Sequence, residues 1–436
     1  MREMKDSGVK WVGEIPSSWK VYKVKQIADS NNDVLPENYE EEQEIDYIEI
    51  GSVTYEHGVR TTEKMKFGNA PSRARRIVHN GDTIISTVRT YLKAIAYIDD
   101  SLADKIVSTG FSVVAPHKDV VAKFLYYALS THSFISNVEA HSVGISYPAI
   151  NNTNLMDLKI VLPMQREQIQ IASYLDAKCS KIDEIIEKQL SIIEKLKEYK
   201  ISIITEVVTK GLDYEVDYKE SGTEWLGKIP SHWQYLSFKN VLKERNEKNF
   251  PVKTAERLSL SIDKGVTLYS EKTTNLDRFK DDVSQYKLAH EGDFVLNSMN
   301  MIVGAVGISH YFGCVSPAYY TYYDNEEDHI TAKYCDYLFH SKTVKKVLHS
   351  LGKGIMSIDR GNDRINTCRL KVSRTDLRAL KIPVPPIFEQ REIVKYLQSK
   401  ENLIDKTIAD RNKAIDKLQE YKKSLIYEVV TGKKEV

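Results

Sequence analysis

From Leu175 onward the apolar positions advance by alternating steps of four and three: Leu175, Cys179, Ile182, Ile186, then Gln189, Ile193, Leu196, Lys200, Ile203 and Val207. A second stretch repeats the pattern through Leu397, Glu401, Ile404, Ile408, Arg411, Ile415, Leu418, Lys422, Leu425 and Val429. A mean step of about 3.5 residues is that of a coiled-coil seam. Prolines precede both stretches (Pro163, and Pro385 with Pro386) and glycines follow them (Gly211, Gly432), as helix start and stop signals require. Each helix, at roughly 45 residues, would run about 65–70 Å. Neither stripe can be buried alone, so the simplest arrangement has the two helices bury each other in antiparallel. Polar residues interrupt both seams at equivalent places, Gln189 with Arg411 and Lys200 with Lys422. Such interruptions fix register at some cost in stability.

Outside these stretches the period changes. "DYIEIGSVTY", "DTIISTVRTY" and "AIAYID" are rich in Ile, Val, Thr and Tyr and read as strands, whereas "AKFLYYALS" and "TAKYCDYLFHSKTVKKVLHSL" read as amphipathic helices. The Tyr-rich run "AYYTYY" (318–323) reads as half-buried strand rather than a stacking platform.

The two helices are part of a larger repeat. "DSGVKWVGEIPSSW" (Asp6 to Trp19) returns as "ESGTEWLGKIPSHW" (Glu220 to Trp233), an offset of 214. The offset is 211 between Gly81-Asp82 and Gly292-Asp293, 210 between Ala122 and Ala332 and between Gly144 and Gly354, and 222 between "ISIITEVVT" and "KSLIYEVVT". Twelve residues have therefore been added to the second copy between Gly354 and Leu380. The chain is α+β, a pseudo-twofold internal repeat of globular region plus long helix, with boundaries expected at 1–162, 163–211, 212–384 and 385–436. Trp11, Trp19, Trp225 and Trp233, with Pro16 and Pro230, read as packing anchors of each globular region.

Composition narrows the function. The 436 residues carry a formal net charge of +1, so bulk charge does not announce a polyanion binder. Its distribution says more. Residues 29–56 hold ten acids and no Lys or Arg, residues 60–93 hold eight bases against two acids, and residues 331–381 hold twelve bases against four acids. Basic stripes on a neutral chain suit a defined groove for nucleic acid. Cys179, Cys314, Cys335 and Cys368 show no zinc spacing and are expected to be reduced thiols. No export signal and no membrane span are expected, and the cytoplasm is the expected compartment.

Motifs of catalysis are missing: no glycine-rich dinucleotide or phosphate loop, no His-Glu-x-x-His, no Gly-x-Ser-x-Gly, and no Asn/Asp-Pro-Pro-aromatic motif of an amino-methyltransferase. "GKGIMS" (352–357) lacks the Lys-Ser/Thr pair that a phosphate loop needs.

The framing phrases, the "PPIFEQREIVKYL" entry to the distal helix and the "EVVTGK" close resemble the specificity subunit of type I restriction–modification enzymes, over essentially the whole chain. The first copy, "LPMQREQIQIASYL", has one proline in place of two. The resemblance implies two target-recognition domains, each reading one half of a split, asymmetric sequence in double-stranded DNA, separated by two long helices forming an antiparallel coiled coil. It also implies that the helices are spacers that dock two methyltransferase subunits, and that restriction/translocase subunits join the complex. S-adenosylmethionine, ATP and Mg would belong to those partners, with no cofactor and no catalytic or metal residue in this chain. A specificity subunit of a methylation-only complex and a protein-binding coiled-coil scaffold are the alternatives. Bases and phosphates are reached by Arg, Lys, Asn, Gln and Tyr. The candidates are Arg73, Arg75, Arg76, Arg89, Lys93, Tyr147, Asn151 and Asn152 in the first domain. In the second they are Asn297, Asn300, Lys353, Arg360, Asn362, Arg364 and Lys371.

Overall fold

A computed structural model describes residues 2–271, 282–326, 328–355 and 369–436. It divides into two compact units, residues 1–189 with 412–436 and residues 190–411. The long helices are Gln165–Lys210 and Ile387–Val430, so each unit holds one globular region and half of each helix.

Each globular region is built around a four-stranded antiparallel sheet with the same strand order. In the first unit the order is Ile95–Tyr97, Thr83–Ser86, Phe111–Pro116, Ala28–Ser30; in the second it is Val306–Ile308, Phe294–Asn297, Tyr319–Tyr323, Lys243–Glu244. The central strands are apolar on both faces (Ile84, Ile85, Val113, Val114; Phe294, Val295, Leu296), as strands covered on both sides must be. The 318–323 run lies in such a strand, with Tyr320 and Tyr322 buried. A helix pair covers each sheet: Ala122–Ser130 with His132–Ala140, and Ile330–His340 with Lys342–Leu351. The kink between the helices is capped by equivalent hydroxyls, Thr131 accepting from Phe134 N and Ser341 accepting from Val344 N, both at 3.3 Å.

The units diverge beyond that sheet. The first adds a second sheet in the order Glu63–Lys66, Glu44–Ile48, Ile106–Ser108, Ala74–Ile77, with one parallel pairing. The second has two-stranded ribbons, Leu258–Ser261 with Gly265–Leu268 and Lys287–Ala289 with Gly313–Val315.

The repeated Trp phrase closes each region onto the helices. It forms a small hairpin (Met4–Asp6 with Glu14–Pro16; Tyr218–Glu220 with Lys228–Pro230), and the next strand pairs with the strand that leads into the long helix. Trp19 and Trp233 are fully buried. Their indole N–H groups donate to first-turn carboxylates, Trp19 to Glu167 at 3.2 Å and Trp233 to Glu389 at 3.0 Å. Beside them sit the stop glycines of the opposite helices. Gly432 (φ +74°) lies against Pro16 and Trp19, and Gly211 (φ +82°) lies against Glu389 and Trp233. Buried Gln168 and Gln390 tie each helix start back to the carbonyls of Pro163 and Pro385.

Within each unit the helices run antiparallel, the start of one beside the end of the other; Arg2 bridges Glu167 and Glu435 there at 2.8 and 3.1 Å. Along the seam Leu175, Cys179, Ile182, Ile186, Ile193, Ile203 and Val207 are buried, as are Leu397, Ile404, Ile415, Leu425 and Val429, while Leu196, Ile408 and Leu418 are half-buried. Lys200 and Lys422 reach across to aspartates. Lys422 Nζ lies 2.6 Å from Asp183, and Lys200 lies 2.9 Å from Asp405 and 3.3 Å from Glu401. Asp183 and Asp405 are themselves equivalent in the repeat. Burial opposes the charge of Lys200, but the two carboxylates outweigh it and raise its pKa.

Cys179, Cys314 and Cys335 are buried free thiols; Cys368 lies outside the described residues. Among the described residues no helix is long and apolar enough to cross a membrane.

Candidate nucleic-acid interface

The first unit places its candidates in two groups. Arg73, Arg75 and Arg76 lie at or in the strand Ala74–Ile77 of the second sheet. Arg73 is ion-paired with Glu49, and the Arg75 guanidinium stacks 4.9 Å from the Phe67 ring centre. Arg76 is half-buried, and that burial lowers its pKa. The other group gathers around the turn after the strand Thr83–Ser86. There Arg89 stacks on exposed Tyr147 at 5.0 Å, and Lys93 lies 3.6 Å from Glu139. The turn and residues 142–150 are held side by side, with Ile150 N donating to Thr87 O at 2.9 Å.

The asparagines are spent on structure. Asn151 caps the helix Asn152–Met156, accepting from Asn154 N at 2.7 Å. Asn152 accepts from Ser112 Oγ at 2.6 Å and donates to Ser30 Oγ at 2.8 Å, bridging two strands of the main sheet. A half-buried amide must satisfy both ends, and these two ends are used internally.

In the second unit Asn297 ends its strand, 8% exposed, and accepts from Met299 N at 3.1 Å. Asn300 is exposed on the following turn, equivalent to Arg89. Lys353 and Lys371 pair across the ribbon Lys353–Ile355 with Arg369–Lys371, Lys353 also reaching Asp376 at 3.1 Å. Val372 N donates to Ser298 O at 2.9 Å, so ribbon and turn again lie side by side. Arg360, Asn362 and Arg364 lie outside the described residues.

Residue type missed the exposed apolar side chains of the same surface. Val143, Ile145, Tyr91 and Leu92 are exposed in the first unit, and Met299 and Val303 in the second. Val303 is the repeat equivalent of Leu92, and Met299 that of Val88. The available signal was "SVGISYP" (142–148), aliphatics set between Gly and Ser with neither helical nor strand period. Among the described residues no group of His, Cys, Asp and Glu could hold a metal ion.

Each unit thus offers a turn and a ribbon, fixed by backbone hydrogen bonds and carrying cations and exposed apolar groups. The family model for the type I restriction modification DNA specificity domain matches the chain twice, over residues 16–203 and 230–417. The chain belongs to that family. Both matches begin at the proline of the framing phrase, Pro16 and Pro230. It is the DNA specificity subunit of a type I restriction–modification system, and a non-catalytic one.

Relatives of this specificity subunit extend over nearly all of it. A putative type I restriction enzyme MjaX specificity subunit from Methanocaldococcus jannaschii is 25% identical, covering 97% of this chain and 95% of its own. The EcoDI specificity subunit of Escherichia coli is 19% identical over 72% of this chain and 70% of its own. Among solved structures, the HsdS subunit from Thermoanaerobacter tengcongensis has a TM-score of 0.52 at 20% identity, covering 96% of this chain and 98% of that one. A chain from a structural study of type I R-M complex assembly and conformational transition has a TM-score of 0.69 at 19% identity, covering 96% and 99%. At such identities the likeness is one of fold.

Proposed function

We propose that the two globular regions, residues 1–162 and 212–384, each read one half of a bipartite, asymmetric target in double-stranded DNA. The helical segments 163–211 and 385–436 dock two methyltransferase subunits, and restriction/translocase subunits complete the complex in the cytoplasm. The methyl donor S-adenosylmethionine, ATP and Mg belong to those partners. The observation that carries this reading is the contrast between frame and reading face. Trp19–Glu167 and Trp233–Glu389 are the same contact made twice, each beside a helix-ending glycine, whereas the turns differ in side chains (Arg89 against Asn300) and the span between the ribbon's paired positions is twelve residues longer in the second copy. Two identical readers can select only a palindrome; two diverged readers in one chain can select different half-sites. DNA contact is assigned to Arg89, Lys93 and Tyr147 in the first unit and to Asn300, Lys353 and Lys371 in the second.

The test is reconstitution. The purified chain alone is expected to transfer no methyl groups. With its methyltransferase subunit and S-adenosylmethionine it should methylate adenines in a two-part sequence. Methyl transfer by the chain alone, or methylation of a single undivided site, would refute the proposal.

A further inference from the structure

In the first unit residues 142–150 form a hairpin, Val143 and Ala149 exchanging both backbone hydrogen bonds at 2.8 and 3.0 Å. It is fastened to the turn 87–93 by the bond from Ile150 to Thr87 and by the Thr90 and Ser142 hydroxyls, 2.8 Å apart. Its crest is unlike a solvated loop. Ile145 is fully exposed, and Val143 and Tyr147 are 80% and 67% exposed, with Tyr91 and Leu92 exposed on the adjoining turn. Contiguous exposed apolar side chains on a soluble domain mark an interaction surface.

The charge of this surface selects its partner. No acid occurs in residues 83–98 or 140–156, and Glu139, just outside, faces Lys93. Arg89 has no carboxylate partner among the described residues; it stacks on Tyr147. Both Arg89 and Lys93 hold left-handed backbone, at φ +52° and +53°. Non-glycine residues are kept there only when the surrounding fold imposes it, and such positions cluster at functional sites.

The second unit has the same element in another size. Val143 and Ala149 correspond in the repeat to Lys353 and Lys371, which pair in the ribbon Lys353–Ile355 with Arg369–Lys371. In sequence, the twelve extra residues of the second copy therefore all fall between the paired positions Lys353 and Lys371. The paired base is thus common to both copies, while the number of residues between the paired positions differs by twelve.

We infer that this hairpin is the base-reading element of the first unit, entering the major groove as a two-stranded ribbon. The groove, about 12 Å wide, admits such a ribbon, and apolar side chains there recognise the thymine methyl group. Ile145 and Val143 take that part in the first unit. Arg89, braced on Tyr147, faces guanine or phosphate. This rests on the proposed division of the target between the two units.

The experiment uses the complex of the full chain with its methyltransferase subunit, and maps methylated adenines for wild type, Ile145→Ser and Arg89→Ala. Ile145→Ser is expected to relax A·T positions of one half-site and to leave the other half-site and the spacer unchanged. Arg89→Ala should weaken binding about tenfold, the scale of one good contact. A direct readout is duplex DNA carrying deoxyuridine for thymine in that half-site, which removes only methyl groups. Wild type should bind it several-fold more weakly, and Ile145→Ser should show no such penalty. A half-site unchanged in both Ile145→Ser and Arg89→Ala, or a wild type indifferent to deoxyuridine, overturns the inference while leaving the bipartite reading intact. Loss of the methyltransferase subunit from the Ile145→Ser complex also overturns it, making the crest a protein-docking surface. A wild-type complex that methylates no bipartite site removes the reading on which the inference rests, and the inference with it.

Discussion

Gly432 ends the second long helix with its Cα pressed against the first framing phrase. A Cβ built there would lie 2.4 Å from Pro16 Cδ, 2.5 Å from Pro16 Cγ and 3.2 Å from the Trp19 ring. Gly432→Ala therefore meets two costs. Left-handed backbone costs an L-residue about 1–2 kcal/mol. Overpacking against a rigid ring costs a further ~1–3 kcal/mol, because a proline fixed in a strand cannot rotate away. The total is about 2–5 kcal/mol. Gly211→Ala, at the end of the other long helix and one residue out of the repeat register, is the control. Its backbone cost is the same, but its Cβ meets Glu389 Oε1 at 2.9 Å, the end of a side chain that can turn. Trp233 donates to both oxygens of that carboxylate at 3.0 Å, so one bond survives a small rotation. The expected cost is about 1–2 kcal/mol, the backbone share alone. Urea unfolding gives the magnitudes, and hydrogen exchange in peptides around Trp19 and Trp233 assigns each to its unit. The double variant Gly432→Ala with Pro16→Ala should recover the overpacking share, a coupling of about 1–3 kcal/mol. Equal costs at the two glycines, or no coupling with Pro16, would refute the reasoning.

Two further outcomes follow from the ion pairs. Asp183→Ala deprives Lys422 of the one carboxylate paired with it among the described residues, whereas Asp405→Ala leaves Lys200 with Glu401; urea unfolding should show the former costing about 1 kcal/mol and the latter less. Asp46 is held below the usual carboxylate range: burial pushes its pKa up, but the Lys105 ammonium and Thr62 hydroxyl outweigh it. Its pairing thus stabilises the first unit above the unfolded pKa and is lost as pH falls through the lower folded value, so Asp46→Asn should flatten the acid limb of a stability profile below about pH 4.

The frame was legible in the sequence because it is made of residues with few other uses. A Trp, Pro and Gly phrase repeated with fixed spacing, and a 3.5-residue stripe broken by polar residues at equivalent places, admit few structures. The reading face was less legible. The offset change from 210 to 222 located the added residues, but only the pairing of Lys353 with Lys371 shows which two positions flank them. Asn152 and Asn297 have the side chains of base readers, yet neither amide is free to reach out. Asn152 joins two strands through Ser30 and Ser112, and Asn297 is buried at a strand end. Residue type reports what a group can bond to; burial decides whether that partner is internal. Ile145 is the converse, a residue of a type most often buried that the fold leaves in solvent.

The equivalence of the two frames has a consequence for half of the chain. Residues 1–211 contain Trp19, Glu167, Asp183, Lys200 and Gly211, and lack the 412–436 segment that supplies Lys422 and Gly432 to the first unit. Each missing group has a counterpart in the half itself, Lys200 for Lys422 at the repeat offset and Gly211 for Gly432 one residue out of register. Two copies can therefore complete each other: Gly211 of one against Trp19 of the other, and Lys200 of one against Asp183 of the other. The half-chain is expected to be a dimer, held at one antiparallel register, and with methyltransferase subunits to methylate a palindromic site built from the first half-site. Sedimentation and methylation mapping read both properties. Asp183→Lys and Lys200→Asp should each weaken the dimer, since like charges then face each other twice, and the combined variant should restore it. A monomeric half-chain, or a dimer indifferent to the single charge reversals, would show that the matching contacts of the two units are a resemblance of parts and not an exchangeable interface.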